Sequence, residues 1–177
     1  MLKFISLGSG SSGNCYCLWT ANGGIIIDAG LSIRIMKKAF HAHGLVFSQF
    51  RAVLVTHDHA DHIKAVGRLA ADFGLPVYAT SGVHQGIATN YSVYPKLKAE
   101  QKRYIEKDVP FTIGDFRITA FDIMHDSTDC VGYCIEACGC RFCLMTDVGC
   151  VTERLRHEVG AANFLVIESN HDREMLA

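Results

Sequence analysis

Long apolar runs are missing from this sequence, and their absence argues against a membrane protein. No stretch approaches the ~20 apolar residues that a membrane-spanning helix needs. The opening segment 1–6 is short and soon followed by glycine, so it does not have the form of a signal peptide. The protein is therefore expected in the cytoplasm, with no membrane partner. Its eight cysteines are then expected to be reduced thiols rather than a disulfide framework.

The chain also has almost no net charge: a formal −1 results from 17 basic and 18 acidic residues. Overall charge therefore gives no attraction to nucleic acid or anionic membrane, and any polyanion site must be a local patch. One basic and aromatic segment, residues 91–108, contains Lys96, Lys98, Lys102 and Arg103 among tyrosines. This segment is either a solvated connection or a surface that grips a nucleic-acid strand.

Zinc-finger spacing, internal repeats and linkers are absent as well. Cys140 and Cys143 form one C-x-x-C next to a turn at Gly139, but no second pair stands at the required distance. These cysteines are expected to pack as small strand thiols. The chain has 177 residues, 49% hydrophobic and 20% charged, which predicts one globular domain over residues 1–177.

The pattern of apolar residues predicts α/β alternation followed by a run of strands. The glycine-rich segment 8–13 is expected to form a hairpin, because strand formers rather than a helix follow it; a loop whose N–H groups face a phosphate is the other interpretation. The predicted strands are 2–7, 14–20, 25–27, 52–55, 76–79, 111–113, 116–123, 131–137, 141–145 and 164–168. The predicted helices are 31–43, 63–73, 81–89 with Ser81 as N-cap, and 151–159.

What the sequence does contain is a cluster of three histidines and two aspartates in residues 57–62, directly after an apolar strand. His57 and His59 are two residues apart, so in an extended segment both can address one ion. Asp61 and His62 lie beyond the strand, and their side chains project in other directions. They would therefore fit as ligands of a second ion nearby. We expect these two at an exposed rim. Imidazole and carboxylate ligands favour zinc, with manganese or iron as further options.

Other ligand-type residues follow strands in the same way. His125 and Asp147 each stand where a predicted strand enters a loop, which is where α/β proteins assemble their sites. A carboxylate at such a position can bridge two metals. Asp28 ends another strand, where it either binds a metal or orients a ligating imidazole.

These residues occur in the order Asp28, His57-x-His59-x-Asp61-His62, His125 and Asp147. This order resembles the metallo-β-lactamase fold superfamily of binuclear metallohydrolases. The finer segments, residues 7–14, 55–59 and 168–172, resemble its YycJ (WalJ) branch, which is regarded as nuclease-like. The resemblance extends from Leu2 to Leu176.

The resemblance implies an α+β fold, a four-layer αββα sandwich of two similar halves, in which the C-terminal part of the second half is expected to be missing. It also implies two divalent ions, with zinc favoured. The implied ligands are His57, His59 and His125 for the first ion, Asp61 and His62 for the second, and Asp147 as the bridge. Asp61 is the implied proton-handling residue, and His171 a weaker candidate for the leaving group or phosphate.

One ligand of the family is missing from the chain. A C-terminal histidine in a Gly-His-Leu-Ser-Asn type segment normally completes the second site, and no such segment precedes Ala177. His171 belongs to a different motif and is not assigned to that position. The second ion is therefore expected to bind more weakly than the first, and an exposed apolar surface is expected beside the strand 164–168.

The function implied by the resemblance is a metal-dependent hydrolase. Two ions lower the pKa of a bridging water, and the resulting hydroxide attacks a phosphodiester of DNA or RNA. A thioester hydrolase of the glyoxalase II kind has nearly the same ligands and stays open as an alternative. So does a metal-binding but catalytically impaired fragment. His59 stands where flavodiiron relatives have a glutamate, which argues for a hydrolytic metal pair.

Overall fold

The computed structural model describes residues 1–167, so the segment 168–172 and His171 lie outside the described residues. Within 1–167 the strands form two mixed sheets that pack face to face. The first sheet runs in spatial order through β1 (Lys3–Gly8), β2 (Cys15–Thr20), β3 (Gly23–Ile27), β4 (Phe50–Leu54), β5 (Val77–Ala79) and β6 (Lys102–Tyr104). The second sheet contains β7 (Phe111–Ile113), β8 (Phe116–Asp122), β9 (Val131–Ala137), β10 (Cys140–Met145) and β11 (Phe164–Ile167), with β11 and β7 at its edges.

Helices cover the outer face of each sheet. The helices are α1 (Ile33–Ala42), α2 (Ala60–Ile63), α3 (Val66–Phe73), α4 (Ser81–Thr89) and α5 (Glu153–Ala161). Buried residues of the first four pack on the first sheet, whereas Leu155 of α5 packs on the second. The expected α+β, four-layer αββα sandwich is therefore confirmed.

The alternation of side chains along the strands explains these layers. In β3, Ile26 belongs to the core under the helices, whereas Ile25 and Ile27 belong to the core between the sheets. Successive side chains of a strand point to opposite faces, so a strand buried on both faces is apolar throughout. Ile25, Ile26 and Ile27 are all fully buried, which accounts for the uninterrupted isoleucine run.

Local details differ from the sequence-based expectations at three places. The N-cap of α4 is Thr80 rather than Ser81, because the Thr80 hydroxyl accepts a hydrogen bond from the Val83 N–H at 3.3 Å. The predicted helix 63–73 is divided into α2 and α3. Strand β6 was not predicted, because it lies in the basic segment and carries little of the apolar pattern. Among residues 1–167, no helix has the length and apolar character required to cross a membrane.

An apolar groove of about 530 Å³ lies between β1 and the last described strand, β11. Phe4, Phe142 and Phe164 contribute to its lining, and 58% of the Phe164 surface is exposed. The outer edge of β11 has no neighbouring strand within residues 1–167. The apolar surface expected beside this strand is therefore present.

Candidate metal centre

The loops that follow four strands bring the candidate ligands to one end of the sandwich. Asp28 follows β3 and His57 follows β4; these two strands are parallel, so their carboxyl ends meet at one edge of the first sheet. His125 follows β8 and Asp147 follows β10, both in the second sheet. The site is therefore assembled from both sheets.

The first group of ligand atoms comprises three imidazole nitrogens, from His57, His59 and His125, which all lie within 4.8 Å of one another. His125 Nε2 lies 3.4 Å from His59 Nδ1. In a tetrahedral zinc site with bonds of ~2.0–2.1 Å, neighbouring ligand atoms stand roughly 3.4 Å apart. The His59 and His125 nitrogens are therefore spaced as two ligands of one ion would be, with His57 close beside them.

The second group comprises His57, His62 and Asp147, again with ligand atoms within 4.8 Å. Asp147 Oδ2 lies 3.2 Å from His62 Nε2 and 3.8 Å from His57 Nε2. Asp61 Oδ2 lies 3.6 Å from the same nitrogen of His62. Asp147 thus stands between the rings, where a carboxylate could serve two ions.

All six residues expected to bind metal are therefore brought together, and their roles as ligands stay a prediction. The expectation that His62 would lie at an exposed rim is wrong, because its side chain is completely buried against Asp28. The side chain of Asp61 is 33% exposed and does lie at the rim. Of the two interpretations of Asp28, the structure favours the orienting one, since its carboxylate contacts an imidazole.

Asp28 and Thr56 form a buried network beneath the rings. Asp28 Oδ1 accepts a hydrogen bond from the Thr56 N–H, and Asp28 Oδ2 accepts one from the Thr56 hydroxyl, both at 2.8 Å. Asp28 Oδ2 also lies 2.8 Å from His62 Nδ1, and the Thr56 oxygen lies 3.0 Å from His57 Nδ1. Because the Thr56 hydrogen is given to Asp28, this oxygen can only accept from His57. Both imidazoles therefore carry hydrogen on Nδ1 and present the lone pair of Nε2 to the site.

The backbone of two site aspartates lies in the left-handed region. Asp28 has φ 58° and Asp147 has φ 54°. Aspartate, asparagine and glycine tolerate this conformation better than other residues, and a β-branched side chain would be strained there. These strand-ending turns thus restrict the residue type before any chemistry is considered.

Asn14, which follows the glycine-rich hairpin, contacts the second group directly. Its Nδ2 lies 2.8 Å from His62 Nε2. The amide orientation is determined by Asn14 Oδ1, which accepts hydrogen bonds from the Gly10 N–H at 2.9 Å and the Tyr16 hydroxyl at 3.2 Å. An amide nitrogen can only donate, so this contact requires an unprotonated His62 Nε2.

Burial and charge act on the two histidines in opposite ways. Burial, with the neighbouring His62 as the next cause, lowers the pKa of His57 to about 2, which keeps this ring neutral. Burial also opposes protonation of His62, but Asp28 and Asp147 outweigh it and raise the pKa of His62 to about 10. The carboxylates thus favour a positive charge at His62. A metal cation beside Asp147 would meet the same attraction, although the Asn14 N–H has to move off the Nε2 lone pair before an ion can bind there.

An unpaired nitrogen supports the same conclusion. Within the part of the chain that the structure describes, the buried Nε2 of His57 has no hydrogen-bond partner. A buried polar atom without a partner is destabilising unless something else contacts it. The donor set of neutral imidazoles and carboxylates is suited to zinc and related divalent ions. The residues therefore fit a metal site.

Thr56 and Asn14 are the site residues that sequence reasoning missed. Thr56 directly precedes His57, and Asn14 ends the glycine-rich loop, but neither is a usual metal ligand. The glycine-rich segment itself is confirmed as the connection of an antiparallel hairpin between β1 and β2. In the basic segment, Lys102 and Arg103 lie on the edge strand β6, and a strand-binding role for them stays a prediction.

Comparisons with known proteins identify the family of this chain. Residues 24–176 match the family model described as beta-lactamase superfamily domain. The chain is 34% identical to exodeoxyribonuclease YycJ of Bacillus anthracis over 175 residues, which are 99% of this chain and 65% of that protein. It is also 34% identical to exodeoxyribonuclease WalJ of Streptococcus pneumoniae serotype 2 over 174 residues, or 98% of this chain and 64% of that protein. The chain thus spans slightly less than two thirds of the length of these relatives.

A solved structure supports the fold alone, because its sequence identity is low. The HARLDQ-motif metallo-β-lactamase of Cronobacter sakazakii superposes with a TM-score of 0.73 at 16% identity, covering 92% of this chain and 73% of that one. The match of the family model extends over far more than half of this chain. The protein therefore belongs to the beta-lactamase superfamily and has its metallo-β-lactamase fold.

Proposed function

We propose that the protein is a metal-dependent hydrolase that cleaves phosphodiester bonds of nucleic acid, acting as an exonuclease on DNA or RNA. The observation that carries the proposal is the convergence of imidazole and carboxylate ligand atoms at one end of the sandwich, in two overlapping groups whose members lie within 4.8 Å of one another. Two curated relatives named as exodeoxyribonucleases, similar over nearly the whole of this chain, support the substrate class.

In this proposal His57, His59 and His125 would hold one ion, Asp61 and His62 would hold a second, and Asp147 would contribute a carboxylate to both. The two ions are proposed to be zinc, with manganese or iron as further options. The chemistry expected of such a pair is activation of water near neutral pH and neutralisation of charge that develops on the phosphoryl oxygens.

The protein residues have separate tasks. Asp28 and Thr56 hold the lone pairs of His57 and His62 towards the substrate side, which removes the cost of reorienting the rings. Asp61, partly exposed at the rim, accepts the proton that leaves the attacking water. The part proposed for His171, at the leaving group or phosphate, lies outside the described residues.

The test begins with metal analysis of protein purified without chelator, followed by assays on end-labelled oligonucleotides. His59→Ala is expected to lower cleavage by roughly a hundredfold or more, because it removes a ligand of the first group itself, and loss of a ligand's outer partner alone costs about 10–100-fold. His41→Ala, at an exposed position of α1, is the matched control and should cleave normally. Metal-loaded protein that hydrolyses a glutathione thioester but no oligonucleotide would contradict the proposal and favour the thioesterase alternative.

The nucleic acid is proposed to contact the basic segment through Lys96, Lys98, Lys102 and Arg103. Strand β6 places two of these at the edge of the first sheet, although Arg103 Nη1 already donates to the backbone oxygens of Glu100 and Lys102. Replacing Lys102 and Arg103 together by alanine should reduce the salt dependence of DNA binding. An unchanged dependence would make the segment a solvated connection.

A further inference from the structure

A second groove lies directly beside the candidate metal centre. Its volume is about 510 Å³, within the range of ~300–1,000 Å³ that small-ligand sites occupy. Its lining includes Ser11, Ser12, Asp61, Lys64, Tyr91 and Ser92. We call it the Tyr91 groove. Because Asp61 belongs both to this groove and to the metal centre, the two are continuous.

Tyr91 is the most conspicuous feature of the groove. Its side chain is 94% exposed, although a tyrosine normally buries most of its ring. The neighbouring chain is well anchored: the Asn90 side-chain amide donates to the Asp58 carbonyl at 2.9 Å, Ser92 N donates to Asn90 Oδ1 at 3.0 Å, and Val93 is buried. The ring is thus held in the open on a segment that is tied to the metal-binding loop.

The opposite wall is anchored in the same way. It is formed by the tip of the glycine-rich hairpin, with exposed Ser11 and Ser12. Asn14 N donates to the Asp61 carbonyl at 2.7 Å, and Gly30 N donates to the Asn14 carbonyl at 2.8 Å. Both walls are therefore positioned by the residues that surround the metal centre.

The polar groups in the groove are suited to a phosphate. In the described part of the chain, the hydroxyls of Ser11 and Ser12 and the ammonium group of Lys64 have no hydrogen bond or ion pair. Two hydroxyl donors and one cation can bind phosphate oxygens. The Asp61 carboxylate opposes an anion in the same groove unless its charge is neutralised, which its proposed role as a metal ligand would do.

We infer that the Tyr91 groove binds one unstacked nucleotide of a single-stranded nucleic acid, next to the phosphodiester that is cleaved. The base stacks on Tyr91, and the adjoining phosphate is bound by Ser11, Ser12 and Lys64. A base inside a duplex already has both faces covered by its neighbours, so only a single strand or a frayed end can use the ring. The inference rests on the nuclease function proposed above and adds the strand preference to it.

The experiment compares two ten-residue strands, an oligodeoxythymidylate and an abasic deoxyribose-phosphate strand of equal length. Affinity and cleavage are measured separately with the metal-loaded protein. Tyr91→Ala should weaken binding of the oligodeoxythymidylate between about fivefold and a hundredfold, from the usual contribution of base stacking. It should leave the abasic strand unaffected. Tyr91→Phe keeps the ring and should behave as the wild type.

Lys64→Ala should weaken binding of both strands, because the inferred partner of the Lys64 ammonium group is a phosphate, which both strands have. It should also reduce the slope of log affinity against log salt concentration by about 0.7. Lys38 is an exposed lysine on α1, and Lys38→Ala is the charge-matched control. It should change neither the affinity for the strands nor the salt slope. An oligouridylate of the same length distinguishes RNA from DNA. Melting temperatures of the variants should match that of the wild type, because the replaced side chains are exposed.

The outcomes separate the two proposals. If both strands are cleaved and Tyr91→Ala leaves the affinity for the oligodeoxythymidylate unchanged, the inference is overturned and the nuclease function is retained. Binding that depends on Tyr91 without any cleavage would overturn the nuclease function and retain the nucleotide site. If Tyr91→Ala lowers the affinity for both strands equally, base stacking is excluded. If the wild type binds neither strand, both proposals are excluded.

Discussion

Replacing Asp28 by asparagine should weaken metal binding and folding by similar free energies. The substitution keeps the shape of the side chain, and asparagine tolerates the φ of 58° at this position. The remaining oxygen can still accept from the Thr56 N–H. The new NH2 group, however, replaces the oxygen that lies 2.8 Å from both the Thr56 hydroxyl and His62 Nδ1. An amide nitrogen cannot accept from either partner.

The losses of stability and of metal affinity depend on whether Thr56 and His62 find other hydrogen-bond partners. Loss of two hydrogen bonds to a charged acceptor costs about 1.5–3 kcal/mol each if nothing rearranges. His62 can avoid part of this cost by accepting at Nδ1 and carrying its hydrogen on Nε2. That tautomer blocks the nitrogen that faces Asp147, so metal affinity should fall about 10–100-fold, the usual effect of losing such a partner. The loss of stability should be about 1–3 kcal/mol, close to the roughly 1.4–2.7 kcal/mol that a 10–100-fold loss of metal affinity represents.

Competitive zinc titration and thermal melting measure the two effects separately. Asp115→Asn is a suitable control, because Asp115 accepts hydrogen bonds from the Thr20 hydroxyl at 2.9 Å and from the Asn22 amide at 2.8 Å, in a turn away from the metal centre. It should leave zinc affinity unchanged. An Asp28→Asn protein with a lower melting temperature and wild-type zinc affinity would refute the proposed orienting role.

Two further predictions concern packing and pH. Gly30→Ala should lower stability by about 1–3 kcal/mol and weaken metal binding, because its Cβ would lie 1.4 Å from the Asp61 carbonyl oxygen. Gly160→Ala is the control, because its added Cβ would meet nothing within 4 Å beyond its chain neighbours and its own helix backbone, and it should raise the melting temperature. Equal zinc affinity in both variants would contradict this reasoning. Because folded His57 stays neutral to about pH 2, metal-free protein should lose about 1.4 kcal/mol of stability per pH unit below about 6.5. Melting curves of the metal-free protein from pH 7.5 to 5 measure this change. His57→Gln should make stability depend less steeply on pH. The same pH dependence in His57→Gln and the wild type would assign the effect to other groups.

The positions of the ligands could be predicted because they depend on short spacing and on strand ends. His57 and His59 share a face in any extended segment, and Asp147 follows a clear apolar strand. The deep burial of His62 could not be predicted in this way. It results from a carboxylate 34 positions earlier in the chain, and nothing in the local pattern indicates that partner.

Thr56 illustrates the same limit. Its hydroxyl connects Asp28 and His57, but a threonine at the end of a strand has the same appearance in sequence as one that only fills space. Strand β6 was missed for a different reason. Lys102 and Arg103 obscure the apolar alternation, and the strand forms because β5 offers it a parallel edge.

The origin of the ligands in both sheets has a mechanical consequence. His57, His59 and His62 follow a strand of the first sheet, whereas His125 and Asp147 follow strands of the second. An ion held by both sets would cross-link the two sheets, since separating the sheets would break its coordination. By mass action, free metal at a hundred times its dissociation constant would add about 2.7 kcal/mol to the unfolding free energy. The supply of the ion would thus influence how long the folded chain persists.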